Sequence, residues 1–231
     1  MIPCLLEQCE KRNFQDIDYH TQALFEQMCS ANNPYTADYR GIELIVYPRV
    51  FFPLPYSSQL RGITKTDVKN YSGKRVLDVG SGTGIRSIVA GLSGAKKVVA
   101  TDINENAAEN TQENVIKYNL DDKIEVLESN LFDNVDGIFD IIIGYLPIVS
   151  HDVHEIWELA VFDPDYSIHR RFFREVKDYL DENGIIKMVH SSKGNLDYFE
   201  ELIDLNDLII FRKKSSHKFG LTWNFYDLEF K

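Results

Sequence analysis

Asp78, Gly80, Gly82, Gly84 and Asp102 are the residues whose types and spacing can do chemistry together. The apolar run Val76-Leu77-Asp78-Val79 leads into Gly80-Ser81-Gly82-Thr83-Gly84, and a helix-forming stretch follows. Glycines lack Cβ, adopt positive φ and let a ligand approach the backbone closely. A helix starting near Thr83 would then aim its unpaired N–H groups at that ligand. Asp102 comes 18 residues after Gly84 (102 minus 84) and closes the apolar run Val98-Val99-Ala100-Thr101. A carboxylate at that strand end can accept both hydroxyls of a ribose, as in dinucleotide folds, and Ile103 would face the adenine. Taken alone, each aspartate is equally compatible with a helix cap or a surface charge. The dinucleotide fingerprint has a longer G-x-G-x-x-G register, which Ile85-Arg86 does not restore. A nicotinamide-dependent enzyme is the competing assignment.

In this register the sequence resembles the first motif of class I S-adenosylmethionine (SAM)-dependent methyltransferases. The resemblance implies SAM as cofactor and S-adenosylhomocysteine as product. It gives Asp78 the amino-acid part of SAM and makes Gly80, Ser81, Gly82, Thr83 and Gly84 the cofactor loop. After the third strand, Ser129-Asn130-Leu131-Phe132 stands where many members carry an acidic residue followed by an apolar one. By resemblance Asn130 would accept a hydrogen bond from the adenine amino group, as an amide oxygen can, with Leu131 as its apolar neighbour.

Over residues 42–190 the chain is most similar to the HemK-like and small-domain methyltransferases. The similarity rests on Val50-Phe51-Phe52-Pro53, on Phe139-Asp140-Ile141-Ile142-Ile143, on the stretch from Phe162 to Phe172 and on a helical N-terminal segment. Those enzymes methylate planar nitrogens, of glutamine side chains or of bases, beside an Asn-Pro-Pro-Tyr motif. Here Tyr145-Leu146-Pro147-Ile148 falls on that motif, so Tyr145 replaces the asparagine and Ile148 the stacking aromatic. The pair of acceptors that would orient an amine is not assembled in the usual way. A carbonyl at 145 and the Tyr145 hydroxyl can still offer hydrogen bonds.

Methyl transfer from SAM is a displacement at an activated carbon, so a protein mainly positions the nucleophile, excludes water and removes a proton. An apolar pocket bearing tyrosine fits a small organic acceptor, methylated on nitrogen or oxygen, and that is the first expectation. Methylation of a protein glutamine or of a nucleobase in RNA, tRNA included, is the second. A SAM-binding partner protein without catalysis is the third, motivated by the altered 145–148 motif. Tyr145 and His151 are the candidate catalytic groups; Tyr56, Tyr145, Pro147 and Tyr166 are the candidates for lining the acceptor site. In a helix, the i, i+3 spacing of His151 and His154 would put both on one face. They are otherwise surface histidines, and no third residue at suitable spacing completes a metal site. Asp163 and Asp165 flank Pro164 and read as a turn.

The elements that must position these groups change character near residue 72. Residues 1–71 are expected to form a helical extension (3–12 and 17–30), a strand at 41–47 and a proline-rich loop over the pocket. Residues 72–231 should form the SAM-binding catalytic domain. Apolar runs predict strands at 75–79, 97–102, 123–128, 139–144, 184–190, 207–212 and 221–229. Helices are predicted at 84–93, 104–119, 167–182 and 195–204, with a shorter one near 153–160. That alternation implies an α/β fold, a doubly wound, mostly parallel seven-stranded Rossmann-like sheet. The last two strands, separated by Ser215, Ser216 and Gly220, should pair antiparallel.

Composition bounds the function classes. The 231 residues carry a net charge of −11, and such a field repels polyanions, which argues against a long nucleic-acid track. Two basic clusters, His169-Arg170-Arg171 with Arg174 and Arg212-Lys213-Lys214 with Lys218, read as solvated faces. No run approaches the roughly 18 apolar residues of a membrane helix. The start offers no signal-peptide pattern, so a cytoplasmic protein is expected. Cys4, Cys9 and Cys29 match no common zinc spacing and read as half-buried thiols.

Overall fold

The computed structural model describes residues 17–39, 41–52, 71–218 and 220–231. Helix α1 (Tyr19–Ser30) starts where the Asp18 carboxylate accepts the His20 and Thr21 N–H groups, satisfying donors that a helix start otherwise leaves open. A hairpin follows, with β1 (Tyr35–Tyr39) antiparallel to β2 (Ile42–Val46). Only β2 was expected; the weakly apolar β1 becomes a strand because it pairs along its whole length with β2. The helix expected at 3–12 lies outside the described residues.

The core then alternates as β3 (Arg75–Val79), α2 (Ile85–Leu92), β4 (Lys97–Asp102), α3 (Glu105–Lys117), β5 (Ile124–Glu128) and β6 (Phe139–Gly144). It continues with α4 (Ser167–Glu175), β7 (Leu180–Ser191), α5 (Leu196–Leu205), β8 (Leu208–Lys218) and β9 (Leu221–Phe230). The seven strands β3–β9 form one sheet in the order β5-β4-β3-β6-β7-β9-β8. β5 through β7 run parallel, and β9 is antiparallel to both of its neighbours. This is the Rossmann-like fold expected, with its antiparallel finish.

Strand pleating sorts the core into two layers. Val76, Val98, Ile141 and Ile143 pack with Ile85, Ile88 and Val89 of α2 and Val115 of α3. Leu77, Val79, Val99 and Ile142 face the other way, onto Phe172 and Phe173 of α4 and Phe199, Leu202 and Ile203 of α5. Helix α2 is buried over nearly its whole surface, because the β1–β2 hairpin also packs into its layer.

Two boundaries differ from the sequence expectation. The predicted helix 167–182 stops at Glu175, a 3-10 turn spans Val176–Asp178, and Leu180 already pairs with Phe139 of β6 beside a bulge. The Ser215-Ser216 stretch is strand, paired with Asn224 and Trp223, and β8 runs on to Lys218. Cys29 is buried and disulfide-bonded, which corrects the expectation of a thiol there. No helix of the described residues is long and apolar enough to cross a membrane.

The sheet order fixes where a ligand can enter. β4 lies on one side of β3 and β6 on the other, so the loops leaving β3 and β6 diverge and open a crevice at the strands' carboxyl ends. The N-terminal segment walls that crevice. Phe25 of α1 packs on Trp157 and Phe162, at 5.0 and 5.8 Å between ring centroids. Lys193 ties the helix start to the β7–α5 connection through Asp18 (3.1 Å) and Thr21 (2.8 Å).

Candidate active site

The glycine loop leaves β3 and is held against the end of β4. The Gly80 and Ser81 N–H groups donate to the Thr101 carbonyl at 2.8 and 2.9 Å, and Gly84 N–H closes back on the Ser81 carbonyl at 2.8 Å. From α3, the Thr111 hydroxyl donates to the Gly82 carbonyl at 2.9 Å and lies 3.0 Å from Ser81 Oγ. Gly84 needs to be glycine: its φ is +77°, and an added Cβ would stand 2.9 Å from Thr111 Cγ2. Gly84 also caps α2 without a side-chain acceptor, so the first N–H groups of the helix stay available.

Two asparagines of α3 lock the hairpin to this loop by imitating a neighbouring strand. Asn114 Oδ1 accepts Ile45 N–H at 2.8 Å, while its Nδ2 donates to the carbonyls of Ile45 (2.7 Å) and Thr83 (3.0 Å). Asn110 bonds Tyr47 N–H and the Ile45 carbonyl in the same manner. The chain leaving β2 then crosses the crevice, where the Arg49 carbonyl accepts from Asn104 at 3.2 Å. This carries Phe51 into the cleft wall.

Asp78 and Asp102 are held differently. Asp78 is 1% exposed; its Oδ2 accepts from the Ser87 hydroxyl at 2.6 Å and its Oδ1 has no partner. Burial pushes its carboxyl up, against the pull of the Arg86 charge and of Ser87. Asp102 accepts Gly82 N–H on Oδ2 at 2.9 Å and Asn104 N–H on Oδ1 at 3.0 Å. Desolvation raises it to about 6 against those N–H groups, with the nearby Asp78 charge adding to the rise. An ionised carboxylate has about four lone-pair sites, so two backbone donors leave room for two more.

The result is a cleft open to solvent at the carboxyl ends of the strands. Gly80, Ser81, Gly82, Thr83, Asp102, Ile103, Asn130, Leu131, Tyr145 and Pro147 all line it. Asp78 and Gly84, at the two ends of this segment, are not in the lining. Of the 145–148 turn, Ile148 points away and packs with Val189 and Trp223. Tyr166 lies outside the lining, its hydroxyl accepting Asn195 N–H at 2.9 Å and its ring packed on Tyr198. His151 also lies outside, on Phe162, with Nδ1 2.7 Å from the Asp152 carbonyl. Residues 151–155 are not helical, so His151 and His154 do not share the expected helix face; only a 3-10 turn at Ile156–Ala160 forms there. Asp163 is in a turn, as read, and its buried carboxylate also receives the Ile168 and His169 N–H groups at the start of α4. Tyr56 lies outside the described residues.

Sequence reasoning passed over Arg86. It lines the cleft at 7% exposure, with its guanidinium carbon 3.7 Å from the centre of the Tyr145 ring. Its place in the first turn after Gly84 was the available signal, hidden by reading it only as a break in a nucleotide fingerprint. Ile156, Leu159 and Ala160, on the 3-10 turn whose Trp157 packs against Phe25 of α1, were also missed.

Comparison with known proteins agrees with this geometry. Residues 61–158 match the profile of the ribosomal protein L11 methyltransferase (PrmA) family. Over 158 residues the chain is 37% identical to a Methanocaldococcus jannaschii protein described as "Putative protein N5-glutamine methyltransferase", covering 66% of this chain and 77% of that one. It is 37% identical over 123 residues to a ribosomal protein L11 methyltransferase of Thermotoga neapolitana, of which it spans only 44%. Among solved structures it is similar to the M. jannaschii tRNA m1G37 methyltransferase, with a TM-score of 0.65 at 23% identity, covering 87% of this chain and 58% of that one. It is also similar to the ribosomal protein L11 methylase of Lactobacillus delbrueckii subsp. bulgaricus, with a TM-score of 0.57 at 22% identity, covering 75% and 79%. A relative matched at that identity over most of its length, together with the glycine-loop cleft, shows that the chain belongs to the class I SAM-dependent methyltransferases.

Proposed function

We propose that this enzyme methylates a macromolecular acceptor, and specifically the side-chain amide nitrogen of a protein glutamine. The observation that carries the reading is the M. jannaschii relative, whose description names that reaction and most of whose length this chain matches. The description of the T. neapolitana relative, a ribosomal protein methyltransferase, weighs the same way. Both displace the small-molecule acceptor that the sequence alone put first. Charge favours protein over RNA within that class. The net charge is −11, and arginines of both basic clusters are engaged by carboxylates, Arg171 with Glu175 and Asp133 and Arg212 with Asp227.

The residues of the cleft fit SAM, because polar atoms that burial should not leave alone face or flank it: Asp78 Oδ1, Thr83 Oγ1 and two nitrogens of Arg86. Bound there, SAM would supply an electrophilic methyl group. In this reading Asp102 takes the ribose hydroxyls and Asp78 the ammonium of the amino-acid part. Gly80 to Gly84 let the ligand approach the backbone, while Ile103, Asn130 and Leu131 receive the adenine. An amide nitrogen is a poor nucleophile because its lone pair is delocalised, so its hydrogens must be held by acceptors in a site shielded from water. The Tyr145-Leu146-Pro147 turn lines the cleft and offers backbone carbonyls together with the Tyr145 hydroxyl, in place of the asparagine of the resembling motif. Residues 72–231 would carry the cofactor site, and residues 1–71 would wall and cover its acceptor side.

Incubating the protein with methyl-labelled SAM and a cell extract divided into protein, RNA and small-molecule fractions tests the acceptor. The expected outcome is label in protein, released on digestion as N5-methylglutamine. Label confined to RNA or to small molecules would overturn it.

A further inference from the structure

Four of the buried polar atoms that lack a hydrogen-bond partner stand around the start of α2. They are Asp78 Oδ1, Thr83 Oγ1 and the Nε and Nη2 of Arg86. A guanidinium is the least tolerable of these to leave unbonded, since a buried charge without hydrogen bonds is strongly disfavoured. Arg86 is nonetheless 93% covered and its Nε and Nη2 have no hydrogen-bond partner among the described residues, although the Asp78 charge is near enough to act on it. Asp78 commits one oxygen to Ser87 and leaves the other open. The chain thus holds a cation and an anion close together, each with hydrogen-bonding capacity left over, behind a loop whose glycines admit a ligand. That arrangement complements a zwitterion rather than an ion of either sign.

We propose that Arg86 is the anchor for the α-carboxylate of SAM, with Asp78 taking the α-ammonium, and that Tyr145 is a positioning residue for Arg86. A planar guanidinium donates a fork of parallel N–H bonds that matches a carboxylate. The Tyr145 ring, 3.7 Å from its carbon, covers one face without consuming any in-plane donor, which fixes the plane of the fork. The tyrosine that replaces the asparagine of the resembling motif thereby gains a role on the cofactor side of the cleft. The inference rests on the SAM reading of the site.

Calorimetry on the full chain with three ligands tests it: SAM, decarboxylated SAM, which lacks only the carboxylate, and 5′-methylthioadenosine, which lacks the whole amino-acid part. SAM should bind about 10- to 100-fold tighter than decarboxylated SAM, the range for losing hydrogen bonds between charged groups. Bulk electrostatics works against that result, because a chain of net charge −11 attracts the more cationic ligand. Arg86→Met should bring SAM down to the level of decarboxylated SAM and leave the other two ligands within about twofold. Arg86→Lys should recover part of the preference, and Tyr145→Ala should erode it while Tyr145→Phe keeps it. Retained binding of 5′-methylthioadenosine shows that each variant is folded. Equal affinity of the wild-type chain for SAM and decarboxylated SAM, or an Arg86→Met loss shared by all three ligands, would overturn the Arg86 assignment alone. Absence of binding by all three would overturn the cofactor reading beneath it.

Discussion

The Asp102 carboxyl converts the geometry of the cleft into a pH-dependent affinity. Its two backbone donors hold it at the end of β4, and desolvation raises its titration to about 6 in the free protein. If the ribose hydroxyls donate to this group, the ionised form is the binding form. The sign then follows: affinity is full above about pH 7 and falls as pH drops through 6. With a pKa of about 6 the ionised fraction is about nine-tenths at pH 7 and one-eleventh at pH 5. Affinity for SAM should therefore fall about tenfold over that interval, equivalent to about 1.4 kcal/mol. The interval lies below the ordinary range of an α-amino group, about 7.7–8.0, so the ligand contributes little to the slope.

Calorimetry at half-unit steps from pH 7 to pH 5 measures the effect, and Asp102→Asn assigns it. The variant keeps the shape of the side chain, loses the charge and exchanges one acceptor for a donor. It should bind SAM about 1–3 kcal/mol more weakly at pH 7, the range for hydrogen bonds to a charged group, and should show no slope. A wild-type affinity that stays flat to pH 5 would refute the reasoning. A slope that survives unchanged in Asp102→Asn would do so as well, and would move the titrating proton to Asp78, whose carboxyl burial also pushes up.

Two further expectations concern the scaffold. Asn114→Ala removes three hydrogen bonds at a site with no solvent exposure and strands the Ile45 N–H. Urea unfolding should show a loss of about 2–4 kcal/mol, and a change below about 0.5 kcal/mol would mean that the hairpin is held by its apolar face alone. His190 is fully buried, and desolvation, aided by the adjacent His169, lowers it to about 3 from 6.5. The unfolded chain takes up this proton below about pH 6.5 while the folded chain resists until about 3. Stability should thus drain as pH falls across that window, by a few kcal/mol in order of magnitude, and His190→Gln should flatten this part of the thermal-melting profile against pH.

How much of this was legible in the chain depends on whether burial or pairing decides an element. The β4 run Val98-Val99-Ala100 and the β6 run Ile141-Ile142-Ile143 were readable because central parallel strands are covered on both faces and show as continuous apolar stretches. β1 was not readable, since Tyr35-Thr36-Ala37-Asp38-Tyr39 becomes a strand through its partner and not through its own pattern. The end of α4 was misplaced because Leu180 satisfies a helical period and a strand pairing equally well, and the pairing with Phe139 wins. Asn110 and Asn114 look like solvent-facing polar positions of a helix. They are buried because they bond the backbone of another segment, a relation no local pattern encodes.

The cofactor half of the site was legible and the acceptor half was not, for a single physical reason. The proposed cofactor contacts fall on one short loop and one strand end, where Gly80, Gly82, Gly84 and Asp102 stand at intervals fixed by the β–α–β geometry itself. The rest of the cleft lining, proposed to face the acceptor, comes from segments far apart in the chain: Phe51, the 145–147 turn and the 156–160 turn. The tie between the two halves is the Arg86–Tyr145 stack, between residues 59 positions apart (145 minus 86) on two different loop-to-element junctions. Read along the chain, Tyr145 is a motif residue lost; read across the cleft, it packs against Arg86, whose buried Nε and Nη2 have no hydrogen-bond partner among the described residues. The replacement therefore need not signal a dead enzyme. If Arg86 holds the cofactor's carboxylate as proposed, the Tyr145 ring 3.7 Å from its guanidinium carbon contributes to the cofactor side of the cleft.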